Sequence, residues 1–148
     1  MTIAHRTLAV ASLGLVLGCA GRAGDVAPSP ATPEATIELF LDAVNAGDLD
    51  RMATLWGDER GPSSATNRIP RAQRAQRLAI IQRLLRSDGR RLVSSENTMP
   101  AAPVRTYELS QGTRRFSVPF TCVPSPHGGW LIREIGLDSA MPSGGPRR

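Results

Sequence analysis

The sequence contains no lysine: its 18 basic residues are all arginine, and 13 acidic residues leave a formal net charge of +5. Loss of Arg6 with the leader described below leaves 17 arginines against the 13 acids. This charge is far below that of a typical nucleic-acid-binding domain, so we expect no nucleic-acid partner. The exclusive use of arginine is a composition bias and does not by itself indicate a function.

The residue types of catalytic and metal sites are also scarce. Beyond residue 19 the chain has one histidine, His127, and one tyrosine, Tyr107. No cluster of metal ligands, carboxylate pair, glycine-rich phosphate loop or nucleophile elbow is present. We therefore expect no metal and no cofactor. His127 lies in a Ser-Pro-His-Gly-Gly turn and is interpreted as a solvent-facing turn residue rather than a catalytic one.

Cysteine occurs twice, at Cys19 and Cys122. Cys122 ends an alternating run in which Phe116, Val118 and Phe120 share its face. This pattern predicts a buried thiol that packs as a small hydrophobe. No helix N-terminus or close basic residue is predicted beside it to activate the sulfur as a nucleophile.

No run is long enough to span a bilayer, but a short apolar run precedes Cys19. Residues 7–18 carry no charge, and this run of twelve residues has the length of the apolar region of a secretory signal peptide. The segment Val16–Cys19, with the small Gly18 before the cysteine, resembles the lipobox of bacterial lipoprotein precursors. The alternative is an ordinary signal peptide with an incidental cysteine, but the small-x-small triplet Ala9–Ala11 falls too early for that cleavage.

The lipobox resemblance implies that Cys19 is acylated and becomes the new N-terminus. Two or more acyl chains anchor a protein stably, whereas one binds reversibly. Residues 19–31, rich in Ala, Gly, Pro and Ser, are expected to form the lipidated cysteine and a flexible linker. Ala20, rather than Asp, favours the outer membrane, facing the periplasm, within the bacterial cell envelope.

The remaining chain predicts one α+β domain over residues 32–138, followed by a disordered tail over 139–148. Thr32, Pro33 and Gly47 frame a first helix, and Asp48 caps a second. A loop at 57–67 and a third helix at 70–87 follow. The period then changes from 3.6 to 2, which predicts strands at 91–98, 104–109, 113–123 and 129–137.

Two segments carry a resemblance to a known fold. Residues 32–50, with the corner Ala46-Gly47-Asp48 between two helices, and the final strand Gly129–Ile135 are similar to nuclear transport factor 2-like (SnoaL-like) domains. The resemblance implies N-terminal helices packed on a curved antiparallel sheet, here of about four strands, with a pocket at the open end of a cone. It also implies a dimer through the sheet face as one arrangement.

The aromatic residues are the candidates for lining such a pocket, although core packing explains most of them equally well. Glu96, Glu108 and Glu134 lie in predicted strands, and a carboxylate that faced inward would have a raised pKa. The face of the last strand is undecided, because both of its alternating sets are apolar. The candidate pocket residues are Trp56, Tyr107, Phe116, Phe120, Trp130 and Glu134.

Between Arg68 and Arg91 there are eight arginines and one acid, Asp88. A solvated helix face accounts for them without a partner. The alternative is a docking surface for anionic lipid headgroups or an acidic protein. The candidate contacts on the third helix are Arg71, Arg74, Arg77, Arg83 and Arg86.

These features favour a membrane-anchored lipoprotein that acts as a non-catalytic binding or interaction module. Its expected partners are the membrane, through the lipid, and a small apolar ligand, a protein or a second copy of the chain. One alternative is a small-molecule enzyme that uses the cone pocket for proton transfer. The other is an envelope or membrane-surface protein that docks through the arginine-rich helix.

We predict that Cys19→Ser abolishes membrane association, because the substitution removes the sulfur that carries the lipid. Acyl labelling followed by membrane fractionation measures the effect. Detergent-sensitive sedimentation of the Cys19→Ser protein with membranes would contradict the lipobox interpretation.

Overall fold

The structure is a computed structural model that describes residues 29–66 and 68–141, so the predicted signal peptide and Cys19 lie outside the described residues. It confirms an α+β fold of three helices packed on an antiparallel sheet. The elements are α1 (Pro33–Ala46), α2 (Leu49–Leu55), β1 (Gly57–Asp58), β2 (Gly61–Pro62), α3 (Arg71–Leu85), β3 (Gly89–Glu96), β4 (Val104–Gln111), β5 (Arg114–Pro124) and β6 (Trp130–Ile135).

The first helix begins and ends where its capping residues predict. The Thr32 hydroxyl accepts a hydrogen bond from the Ala35 N–H at 3.1 Å, and Pro33 occupies the first turn. Gly47 ends the helix with φ of 71°, a left-handed conformation that glycine adopts without strain. The apolar stripe of α1 is fully buried, and it consists of Ile37, Phe40, Leu41 and Val44.

The second and third helices complete one side of the core. Asp48 caps α2 by accepting the Arg51 N–H at 2.9 Å. On α3, Leu78, Ile81 and Leu85 are buried, while Ala75 is exposed although its spacing predicts an inward position. In the part of the chain that the structure describes, no helix has the length and apolarity needed to cross a bilayer.

The main sheet is a four-stranded antiparallel meander in the order β3-β4-β5-β6. Phe116, Val118, Phe120 and Cys122 face the helices, as their alternation predicts, and the residues between them face outward. Pro119 lacks an N–H yet lies in the interior strand β5. The Pro119 carbonyl accepts the Gly136 N–H at 2.9 Å. The nitrogen and the carbonyl of one strand residue point to the same side, so the Pro119 nitrogen lies beyond the end of β6, where no ladder bond needs an N–H.

The segment predicted as a loop, residues 57–67, contains a short hairpin that the sequence did not indicate. Gly57 and Asp58 pair antiparallel with Pro62 and Gly61. Just before this hairpin, Trp56 forms a parallel bridge with Ile132 of β6. The short hairpin therefore continues from the free edge of β6 and extends that end of the sheet.

A row of carboxylates on α1 is bonded to arginines of the sheet. Glu34 accepts from Arg105 of β4, and Glu38 and Asp42 both accept from Arg90 of β3. Arg105 is only 7% exposed, and its guanidinium also donates to Asn97 Oδ1 at 3.0 Å. These pairs lie along one side of the apolar stripe, so they fix the rotation of α1 about its own axis.

Both ends of the domain extend beyond the predicted limits of 32 and 138. The Pro30 carbonyl accepts the Trp130 N–H at 3.0 Å, so the end of the predicted linker is bonded to β6. Ser139 and Met141 offer their carbonyls to Arg114, and Ala140 is buried. Residues 139–141 of the predicted tail therefore form a turn that Arg114 and the core hold in place.

The confirmed burial of Cys122 predicts an inert thiol. Burial raises its pKa to about 12, so the nucleophilic thiolate is scarce even at pH 9. In a Cys19→Ser chain we expect negligible labelling of native Cys122 by a polar thiol reagent, and rapid labelling of a cysteine introduced as Ser117→Cys on the outer face. Fast labelling of Cys122 itself would contradict its burial.

The same burial predicts the effect of truncation on stability. Cys122→Ala should lower the free energy of unfolding by on the order of 1 kcal/mol, and Phe120→Ala by about 3–5 kcal/mol.

The Glu34–Arg105 pair predicts a pH-dependent stability. The hydrogen bond from Arg105 lowers the pKa of Glu34 below its ordinary value of 4.5, so the stabilisation is complete above that pH and is lost as the pH falls below it. Glu34→Gln should cost on the order of 1 kcal/mol at pH 7, since the carboxylate is partly exposed. The difference in melting temperature from the unsubstituted chain should shrink with acid. Asp138→Asn, at an exposed position, is the control, and an equal effect there would contradict the prediction.

Candidate functional site

The aromatic residues predicted to line a pocket do not surround one space. Tyr107 and Phe120 are 1% and 0% exposed and meet edge to face, with ring centroids 6.0 Å apart. Phe116 is buried as well, beneath the guanidinium of Arg114. The space between helices and sheet is thus filled by side chains. Trp130 is half-buried against the core beside Pro30.

The carboxylates of the predicted strands face solvent. The side chain of Glu134 is 70% exposed, Glu96 is exposed, and Glu108 accepts from Arg91 on the outer face at 3.1 Å. His127 is exposed in the β5–β6 turn. These positions do not meet the expectation of an inward carboxylate in the cone.

Of the predicted pocket residues, Trp56 lines a cavity of about 500 Å³ at the end of the sheet. This volume is within the range of small-molecule sites. The cavity, called the Trp56 cavity below, lies between the β1–β2 hairpin, the chain leading to α3, and β6. Its main lining residues are Trp56, Asp58, Glu59, Arg68, Ile69 and Arg133.

The wall of the Trp56 cavity is held by hydrogen bonds from Ser63 to Trp56 and to α2. The Trp56 carbonyl accepts the Ser63 N–H at 2.7 Å, and the Ser63 hydroxyl donates to the Ala53 carbonyl at 2.9 Å. From the other side, Arg74 of α3 donates to the Ser63 carbonyl at 2.6 Å. The loop is thereby fixed between α2 and α3, and the cavity is largely pre-formed.

Two arginines line the Trp56 cavity, and each is paired with a carboxylate. Arg68 is paired with Asp58, whose other oxygen accepts the Arg60 N–H and closes the hairpin turn. Arg133 donates through Nη1 to Glu59 Oε1 at 3.1 Å. Together these pairs leave the charged lining close to neutral.

Arg133 also has a donor that nothing satisfies within the described part of the chain. Its Nε is buried and without a hydrogen-bond partner, and the nearest carboxylate oxygen, of Glu134, is 3.7 Å away. A buried N–H without an acceptor costs about 1–3 kcal/mol. Because this nitrogen has almost no solvent-accessible surface, it is not part of the surface that a ligand in the cavity would touch.

The cavity therefore combines apolar surface, from Trp56 and Ile69, with arginine donors. Such a lining suits a small molecule with an apolar or aromatic body and an acceptor oxygen. Each described carboxylate of the lining already accepts an N–H from an arginine, which suits an anchoring role better than proton abstraction. Among residues 29–66 and 68–141 there is no cluster of three or more potential metal ligands.

The arginines predicted on the third helix have two different environments. Arg74 is half-buried and supports the cavity loop, so it does not belong to an exposed surface. The remaining four are exposed, and no ion pair joins them to a described carboxylate: Arg71, Arg77, Arg83 and Arg86.

Sequence reasoning missed most of the Trp56 cavity. The pair Glu59–Arg133 joins residues 74 positions apart, and no periodic pattern predicts such a contact. One usable signal was present: the run Gly57-Asp-Glu-Arg-Gly61 directly after a tryptophan is a charged turn between glycines. Charged side chains in such a turn lie next to the aromatic ring that precedes them.

Comparisons with protein-family models, with curated proteins and with solved structures each returned no match to the chain. The function is therefore inferred from the site itself.

Proposed function

We propose that the protein is a lipid-anchored bacterial lipoprotein whose single domain binds a small, largely apolar molecule without transforming it. The observation that carries the binding role is the Trp56 cavity. It offers about 500 Å³ of pre-formed space, an indole wall, and the two arginines Arg68 and Arg133 among its lining residues.

The interior of the fold supports a role in binding over proton transfer inside a cone. An acid or base in that space would need room for a substrate beside it. Tyr107, Phe120 and Met52 occupy the space instead, each at most 1% exposed. Burial also raises the pKa of the Tyr107 hydroxyl, so the phenolate that could accept a proton is scarce at neutral pH.

The proposed location in the cell envelope depends on the Val16–Cys19 lipobox. The proposed relation to nuclear transport factor 2-like domains depends on the order of the helices and strands. The tight α1–α2 corner at Gly47, a short hairpin between α2 and α3, and the meander that follows support a nuclear transport factor 2-like domain. The predicted flexible linker before Ser29 would let such a domain reach a ligand in water while its lipid anchor stays in the bilayer.

The binding role is tested with 1-anilinonaphthalene-8-sulfonate, an aromatic anion that matches the indole wall and the arginine donors. In a chain of residues 19–148 carrying Cys19→Ser and Trp130→Phe, the remaining tryptophan, Trp56, reports on the cavity. We expect saturable quenching at one site. At about −0.3 kcal/mol per non-hydrogen atom, a ligand of about 20 such atoms binds with a Kd in the tens of micromolar.

The matched variants are Ile69→Glu, inside the cavity, and Ile80→Glu, on exposed α3. Both add one charge at an isoleucine, but only the first places it against the bound anion. We expect at least about tenfold weaker binding in Ile69→Glu, with its melting temperature measured in parallel, and little change in Ile80→Glu. Absence of saturable quenching, or equal affinity in the two variants, would overturn the proposed site.

A further inference from the structure

The charge of the domain is sharply divided between α3 and the rest. Residues 71–86 contain five arginines and no acid, a net charge of +5. The other described residues contain nine arginines and twelve carboxylates, a net charge of −3. The positive charge of the domain is therefore concentrated on one helix, over a body that is acidic.

This concentration suits the helix dipole only at the C-terminal end, where Arg83 lies in the last turn. Arg71 lies in the first turn, where the helix dipole disfavours positive charge, and the first turn has no acidic residue. The neighbouring arginines on α3 are spaced three apart, as in Arg74 and Arg77, and like charges at that spacing repel. By contrast, the arginines of β3, β4 and β6 described above all bond to carboxylates.

We propose that the exposed face of α3 docks on a bilayer surface that contains anionic phospholipid. The contact face consists of Arg77, Arg83 and Arg86, with Ile80 among them at 50% exposure. Arg77, Ile80 and Arg83 follow one another at intervals of three, so they form a single row along the helix. A lone apolar side chain between cations inserts at the boundary of headgroups and acyl chains.

A bilayer fits this face better than an acidic protein does. Protein interfaces depend on a few aromatic or apolar anchors that fill pockets in the partner. Between its arginines, the exposed face of α3 presents Ala72, Gln73 and Gln76, which are small or polar. Spread positive charge on a convex helix matches a flat, fluid anionic surface, and each arginine near such a surface strengthens binding about five-fold.

The docking is independent of ligand binding in the Trp56 cavity and adds to the proposed lipid anchor. The nine residues between Cys19 and Ser29 give ten Cα–Cα steps, which span at most about 36 Å when extended. An anchored domain is therefore always within reach of the surface, and weak docking suffices to orient it. Docking through α3 turns the polar outer face of the sheet, with Ser117, away from the bilayer.

The test uses residues 19–148 with Cys19→Ser, which retain the whole core from Ile37 to Ala140. Sedimentation with phosphatidylglycerol–phosphatidylcholine vesicles is compared with pure phosphatidylcholine vesicles. We expect binding to the anionic vesicles alone, weakening steadily as salt rises from about 50 mM, since exposed charges are screened. Absence of binding at low salt, or equal binding to neutral vesicles, would overturn the proposal.

Two triple reversals, with the same change in net charge, locate the contact. The first is Arg77→Glu, Arg83→Glu and Arg86→Glu on α3. The control reverses Arg51, Arg60 and Arg115, which are exposed elsewhere and have no ion pair among the described carboxylates. We expect at least about 100-fold weaker binding in the α3 variant and a much smaller loss in the control. Equal losses would show a response to net charge only and would overturn the assignment to α3.

A position-specific measurement uses the inert Cys122. A cysteine introduced as Ile80→Cys or as Ser117→Cys is then the one reactive thiol of each Cys19→Ser chain, and it can carry an environment-sensitive dye. On anionic vesicles the dye at position 80 should shift to the blue, while the dye at position 117 should not. A shift at position 117 alone would place the opposite face on the membrane and overturn the proposal.

Discussion

The burial of α1 against the sheet is the interaction on which the rest of the structure depends. Ile37, Phe40, Leu41 and Val44 are all 0% exposed, and fully burying such a side chain contributes about 1.5–3 kcal/mol. Hydrophobic burial is non-directional, so by itself it does not fix how α1 is rotated on the sheet. The bonds from Arg90 and Arg105 to the carboxylates of α1 supply that direction.

Because α1 fills the core, the proposed ligand site lies at the margin of the fold. The space enclosed by the sheet is occupied, and the Trp56 cavity lies where the sheet ends, between β6 and the hairpin that Trp56 joins to it. Loops on a rigid scaffold commonly carry binding residues for this reason. Arg74 belongs to α3 and holds the cavity wall through Ser63, so α3 supports the cavity by a side chain outside its exposed face.

The sequence was sufficient where local rules decide the structure. The caps of α1 and α2, the four strands and the inward face of Cys122 follow from side-chain chemistry and from period. The face of β6 could not be predicted, because Leu131 and Ile132 are adjacent in regular pairing with β5 and are nevertheless both fully buried. The cavity could not be predicted either, since Arg133 meets Glu59 through the fold and not through the local sequence.

The bond between Pro30 and Trp130 also determines how the domain responds to mechanical load. Tension on the chain before Ser29 does not reach α1 first, because the Pro30 carbonyl is held by β6 just ahead of the helix cap. Trp130 is itself paired with Pro124 of β5, so the load passes into the meander. A pull from the N-terminal side therefore acts across the whole sheet rather than unwinding the first turn of α1.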